Sequence, residues 1–437
     1  MKTPVDVNIV NSEIESSGLK DLGKATIREI VGLVNRIQSK SGVNFMRMEM
    51  GVPGLKPPQV GIEAEIEALN RGVASDYPMV DGVSALKEES SKFIKNFIGI
   101  DISPTSCIPT VGAMQGAYAT FLLCANLDPV KDTALFIDPG FPVQKQQFKV
   151  MGHKFDSFDV YDYRGAALHD KLESFLKKGN INSIIYSNPN NPSWICLTEA
   201  ELKIIGDLAN KYDVIVIEDL AYIAMDFRKD LYHPGKPPYQ ASVTKYTDNY
   251  ILLISGSKAF SYAGQRIAVT AISDKIFNRS YPPLKERFGS DLFGYTFVLR
   301  IIYALSSGAG HSTQYGMAAM LKAANEGRFN FIEEVKEYGE RAKIMKKMFL
   351  DAGFKIVYDK DLDEDIADGF YFTISYPGMS GGELVKELLY YGISAISLDN
   401  TGSTRSEGLR ACVSQINTAK MPILFERVNA FKNNHNK

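Results

Sequence analysis

A chain of 437 residues is long for one hydrophobic core, so two packed units are expected. With 45% hydrophobic and 23% charged residues and a formal charge of -2, it is composed like an ordinary globular protein and carries no basic field for nucleic acid or anionic lipid, which favours a small-molecule role. No basic-then-apolar leader opens the chain and no apolar run reaches membrane-spanning length, pointing to the cytoplasm, while four dispersed cysteines and five scattered histidines lack metal or disulfide spacing.

Residues 1–20 are polar and expected to be loose. A helix is expected from Asp21, because Ile27, Ile30, Val31, Val34 and Ile37 share one face. A short strand from Met46 stops at Gly51-Val52-Pro53-Gly54, where bare backbone can approach a ligand or simply turn. Asp76 to Gly82 is rich in turn formers and precedes an amphipathic helix carrying Leu86, Phe93, Ile94 and Phe97. Tyr77 in that turn can offer its hydroxyl to a ligand or be an ordinary loop tyrosine. Thr110-Val111-Gly112-Ala113-Met114 opens a helix whose free amides form an anion site, with room for a phosphate at Gly112 and Ala113. Many buried helices open in the same way and bind nothing.

Strands then alternate with helices, which implies a largely parallel sheet covered on both faces. Residues 133–137 read as a strand followed by Asp138-Pro139-Gly140-Phe141-Pro142, and residues 181–187 as a strand followed by Asn188-Pro189-Asn190-Asn191-Pro192. Thr198 and Glu201 form a capping box for the next helix. Residues 214–217 lead into Glu218-Asp219-Leu220-Ala221-Tyr222, and residues 250–254 into Ser255-Gly256-Ser257-Lys258.

Ligands of open α/β sheets bind beyond the carboxyl ends of the strands. An amine at such a place, partly withdrawn from water, can lose its proton and attack an aldehyde, so Lys258 reads as a nucleophile. Ser255, Ser257 and Arg266 suit a phosphate beside it. An aldehyde bearing a phosphate suggests pyridoxal phosphate. Phe141 can stack on its ring, Asn191 and Tyr222 can hydrogen-bond its phenolic oxygen, and Asp219 can pair with its protonated nitrogen. Lys258 alone would read as a surface lysine; compatible groups at successive strand ends favour the cofactor.

Residues 267–272 form a further strand, followed by an irregular aromatic stretch to about Gly308, a helix near His311 and a long amphipathic helix over 330–351. The rest reads as a smaller α+β unit with strands at 354–358, 369–376 and 409–413 and helices near 382–391 and 422–432. Arg410, between apolar neighbours, must find an anion: a substrate α-carboxylate or a structural salt bridge.

These residues in this order resemble the fold-type-I pyridoxal-phosphate enzymes, specifically the class I/II aminotransferases, over nearly the whole chain. The motifs that carry the likeness are Asn188-Pro-Asn-Asn-Pro192, Asp219-Leu-Ala-Tyr222 and Ser255-Gly-Ser-Lys258 with Arg266. The resemblance implies an α/β large domain over 55–315, with a mostly parallel sheet of the seven-stranded type, and a small domain formed by 1–54 and 316–437. It implies that Lys258 carries the cofactor as an internal aldimine and moves the Cα proton, so that an amino group passes between an L-amino acid and a 2-oxo acid. Gly112, Ala113, Met114, Ser255, Ser257 and Arg266 would hold the phosphate, Phe141, Asn191, Asp219 and Tyr222 the ring, and Gly51, Asn191 and Arg410 the substrate. Tyr77 matches a residue that reaches the phosphate of a neighbouring subunit, which implies a homodimer with shared active sites. The sequence departs from the family at Trp194, after Asn191-Pro192-Ser193 where glycine is usual, at Ala268 where glycine is common, and over 275–308. A lyase, decarboxylase or cyclising synthase on the same scaffold is the nearest alternative, and a ligand-sensing regulator a more distant one.

Overall fold

The N-terminal residues expected to be loose are helical. In the computed structural model, which describes residues 3–435, α1 (Val7–Ser17) opens at Asp6, whose carboxylate accepts from the Asn8 N–H, and closes at Gly18 in the left-handed region, φ 71°. Its polar sequence conceals a buried side: Val10 packs in the core, and the Glu13 carboxylate is buried between Arg36 and Lys40 of α2 (Ile27–Ser41). The latter helix starts later than Asp21 because Thr26 and Glu29 form a capping box at its N-terminus. β1 (Met46–Arg47) pairs in parallel with Ile393–Ser394, which ties this segment to the C-terminal part of the chain. Two further helices, α3 (Gln59–Asn70) and α4 (Ser84–Phe97), precede the main sheet.

That sheet has seven strands: β2 (Cys107–Val111), β3 (Thr133–Asp138), β4 (Lys154–Asp159), β5 (Ile181–Ser187), β6 (Ile215–Asp219), β7 (Tyr250–Ser255) and β8 (Ile267–Ile272). Their spatial order is β2-β8-β7-β6-β5-β3-β4. β8 runs antiparallel to both neighbours and the remaining pairings are parallel. Helices α5 (Gly112–Cys124), α6 (Pro142–Met151), α7 (Ala167–Leu176) and α8 (Glu199–Tyr212) connect the strands. Because both faces are covered, the central strands are continuous apolar runs: Leu135, Ile184, Val216 and Leu252 pack on one side, and Phe136, Ile185, Ile217, Ile251 and Leu253 on the other. The architecture is that of an α/β protein, as the alternation of elements predicts.

The irregular stretch consists of short helices, Asp274–Phe277 and Pro283–Phe288, and a helical run over 293–306 whose middle, Phe297–Ile302, has π geometry. After the helix His311–Asn325, the chain builds a four-stranded antiparallel sheet in the order Ile396–Ser397, Leu409–Cys412, Tyr371–Ser375, Lys355–Ile356. Helices Glu337–Asp351, Gly381–Tyr390 and Met421–His435 accompany it. Among the described residues no helix is long and apolar enough to cross a membrane.

Candidate active site

β3, β5, β6 and β7 are neighbours through successive parallel pairings, so the turns after them emerge side by side at one edge of the sheet. They open on a cavity of about 480 Å³ whose wall includes Gly51, Ala113, Met114, Phe141, Asn191, Asp219, Tyr222, Ser255, Ser257, Lys258, Arg266 and Arg410. Gly112 lies against it: its φ is 66°, and a Cβ there would run into the Arg266 guanidinium. Tyr77 is not part of this cavity; it is 91% exposed and lines a separate surface recess with Ser306 to Ser312.

Asp219 ends β6 and is buried. Its carboxylate accepts from Gln144 Nε2 at 2.8 Å and from the Ala221 N–H at 3.1 Å, and no cation pairs with it among the described residues. Burial pushes its pKa up to about 6, only partly offset by these two donors. Lys258 follows β7, its Nζ donating to the Gly51 carbonyl and lying 5.5 Å from the centre of the Phe370 ring. Burial first, then the positive fields of Arg410 and Arg266, bring its pKa down to about 8. An amine so placed gives up its proton far more readily than a lysine in water.

Arg266 has a left-handed backbone, φ 52°, and among the described residues its guanidinium donates only to the Ala263 carbonyl, at 3.1 Å. Its fork faces the α5 start at Gly112, with Ser255 and Ser257 in the same wall. This is an unneutralised cation beside hydroxyls and a helix N-terminus, the donor set a phosphate needs. Arg410, on the strand Leu409–Cys412, is 1% exposed. It donates to the Glu49 carbonyl at 2.7 Å and to Asn191 Oδ1 at 3.3 Å, stands 4.6 Å from the centre of the Tyr371 ring, and leaves Nε without a partner among the described residues. No carboxylate pairs with it among the described residues, so the salt-bridge alternative finds no counter-ion there.

The turn after β5 is held by its own side chains. Asn190 Nδ2 donates to the Pro139 carbonyl at 2.8 Å, its Oδ1 accepts from the Ser193 hydroxyl at 2.7 Å, and the Asn191 N–H donates to Ser187 Oγ at 3.1 Å. Trp194 keeps a left-handed backbone, φ 66°, of the kind glycine favours, and its fully buried indole packs against Tyr222 and Tyr371 with ring centres 5.3 and 6.3 Å away. Ala268 is buried in β8 opposite Thr110 on one side and Ser255 on the other, so the strand accommodates its methyl.

Sequence reasoning missed Tyr371, Gln144 and Arg28 in this wall. Tyr371 is buried, accepts from the Tyr222 hydroxyl at 2.9 Å, and fills the space a side chain at Gly51 would occupy. Gln144 was the most legible of the three, since it lies three residues after Phe141 at the start of α6, where i and i+3 share a face.

The buried, cation-free carboxylate, the amine with a lowered pKa and the unneutralised Arg266 fit a protonated pyridine ring, an aldehyde and a phosphate. The family described as aminotransferase class I and II has a model that matches residues 43–428. A probable aspartate aminotransferase of Methanocaldococcus jannaschii is 24% identical over 363 residues, 76% of this chain and 88% of the relative. An LL-diaminopimelate aminotransferase of Natranaerobius thermophilus is 25% identical over 82% of this chain and 84% of its own length. Among solved structures, an alanine aminotransferase from Pyrococcus furiosus superposes with a TM-score of 0.76 at 19% identity, over 94% of this chain and 98% of that one. The fold is thereby matched over 94% of the chain.

Proposed function

Since the chain belongs to the class I and II aminotransferases, pyridoxal-phosphate enzymes that move an amino group between an amino acid and a 2-oxo acid, we propose that the cavity at the β3–β7 edge is its active site. One observation carries this reading: Lys258, Asp219, Arg266 and Arg410 converge on a single cavity, and none of them has an ion-pair partner among the described residues. Four unpaired charges are expensive to keep together unless ligands neutralise them.

When bound, pyridoxal phosphate supplies an aldehyde for the amino group and a protonated ring that accepts electrons from the substrate's Cα. Asp219 keeps the ring nitrogen protonated by presenting its carboxylate there, oriented by Gln144. Gly112, Ala113, Met114, Ser255, Ser257 and Arg266 hold the phosphate, and Phe141, Asn191 and Tyr222 the ring. Arg410, already steered by Asn191 and the Glu49 carbonyl, receives the α-carboxylate beside Gly51. That contact would fix the Cα near Lys258, whose amine, when neutral, would be placed to take up the Cα proton.

The reading includes a homodimer in which Tyr77 serves the neighbouring subunit's site, a cytoplasmic location, and a division into a large unit of residues 55–315 and a small one of 1–54 and 316–437. Support for the dimer comes from a run of exposed apolar side chains on segments that adjoin the recess holding Tyr77, among them Met79, Leu299, Tyr303 and Leu305. Pairing of Met46–Arg47 with Ile393–Ser394 supports the composite small unit.

The test is borohydride reduction of the cofactor-loaded protein followed by peptide mapping. Label on Lys258, and loss of amino transfer in Lys258→Ala by at least about a thousand-fold, are expected; label on another lysine sinks the assignment.

A further inference from the structure

The cavity wall contains five charged side chains: Arg28, Asp219, Lys258, Arg266 and Arg410. The proposed function uses the last four. Arg28 remains, and its surroundings give it no structural task. It is the second residue of α2 and makes no hydrogen bond or ion pair with any described residue. The acid next to it, Glu29, is committed to the Thr26 N–H at 2.7 Å and the Thr26 hydroxyl at 2.8 Å. One turn on stand Val31 and Gly32, and one turn back Lys24 and Ala25, so α2 offers no carboxylate at pairing distance. A cation in the first turn also opposes the positive end of the helix dipole, where an acid would stabilise the helix. Ile27, Met50, Val52 and Val143 supply apolar wall in the same cavity.

Resting on the aminotransferase reading, we propose that Arg28 binds the anionic end of the substrate's side chain, so that the enzyme prefers dicarboxylic amino acids and their 2-oxo acids. Arg410 takes the α-carboxylate, the apolar wall receives the intervening methylenes, and Arg28 takes the distal carboxylate. An amino acid with a cationic side chain meets a like charge at the same place and is rejected. Arg28 is a specificity residue: it touches the part of the substrate that does not react.

The holoenzyme tests this without turnover, through binding of glutarate and pentanoate, which differ only in the second carboxylate, followed by the change in the cofactor's visible absorption. Wild-type protein is expected to bind glutarate at least about 10-fold more tightly, a preference lost in Arg28→Ala, reversed in Arg28→Glu and largely kept in Arg28→Lys. Equal binding of the two acids by the wild type, or an undiminished preference in Arg28→Ala, overturns the inference. In steady state, kcat/KM for glutamate relative to norvaline should fall about 10- to 100-fold in Arg28→Ala, chiefly through KM. An equal fall for both substrates marks a structural role and also overturns it. Tighter use of O-phosphoserine than of any dicarboxylic amino acid overturns the carboxylate assignment. If no amino acid yields a 2-oxo acid, the aminotransferase reading fails, while the glutarate comparison still decides the role of Arg28.

Discussion

At pH 7 the protein without cofactor keeps the Asp219 carboxylate buried, with no cation paired to it among the described residues. Its pKa of about 6, against an ordinary 3.8, means that ionisation is resisted by folding. The folded state therefore holds a proton that the unfolded chain has lost between about pH 4 and pH 6, and stability falls as pH rises through that window. Asp219→Asn is expected to stabilise the apoprotein above pH 6 by up to about 3 kcal/mol, with the gain shrinking to nothing towards pH 4. Urea unfolding of both apoproteins across that range checks it; a gain independent of pH would mean that desolvation of the carboxylate is not the cause. In the proposed site the same substitution should weaken the holoenzyme, because a neutral amide offers a protonated ring nitrogen no opposite charge. Lys258, Asp219, Asn191 and Arg410 were legible in the sequence because each is a chemically singular residue at a strand end or inside an apolar strand. Tyr371 and Arg28 were not, since their place in the cavity depends on how the C-terminal sheet and α2 dock, which no local pattern encodes.

The turn from β5 to α8 joins the strand that delivers Asn191 to the small sheet that delivers Arg410, and Trp194 is the joint. Its indole leaves so little room at Gly369 that a Cβ there would run into it. Trp194→Gly is expected to cost about 2–4 kcal/mol: roughly 3–5 for the emptied core, less about 1 for the relieved left-handed backbone. Gly369→Ala should destabilise the wild type through overpacking, but be nearly neutral once Trp194 is glycine, a coupling of at least about 1 kcal/mol. A double-mutant cycle by denaturant unfolding measures it, and additive effects would contradict this packing. Elements with a clean apolar period were legible almost to the residue, as with 181–187, 267–272 and the capping box at Thr198. Those missed had a physical reason to hide: β4 lies at the sheet edge with Lys154 exposed, α1 buries a glutamate through partners on another helix, and the π segment at Phe297–Ile302 breaks the 3.6-residue spacing.

For the molecule as a whole, the residue that least fits its surroundings is Tyr77, a large ring almost wholly in solvent beside further exposed apolar side chains. In the proposed homodimer that surface is covered, and each cavity draws Lys258 from one subunit and Tyr77 from the other. The two residues can then be inactivated on different chains. Tyr77→Ala and Lys258→Ala homodimers each lose function at both sites, the first through weakened cofactor retention and the second through the absent amine. A mixed dimer gathers both lesions into one site and leaves the other intact. Co-expression with random pairing makes about half of the dimers mixed, so roughly a quarter of all sites should be native. Amino transfer by the purified mixture should therefore rise well above that of either variant alone, with a sedimentation mass of two 48.4 kDa chains. If each site is built from a single chain, every Tyr77→Ala subunit and every Lys258→Ala subunit carries its own defect into any pairing, and mixing recovers nothing beyond the average of the two variants.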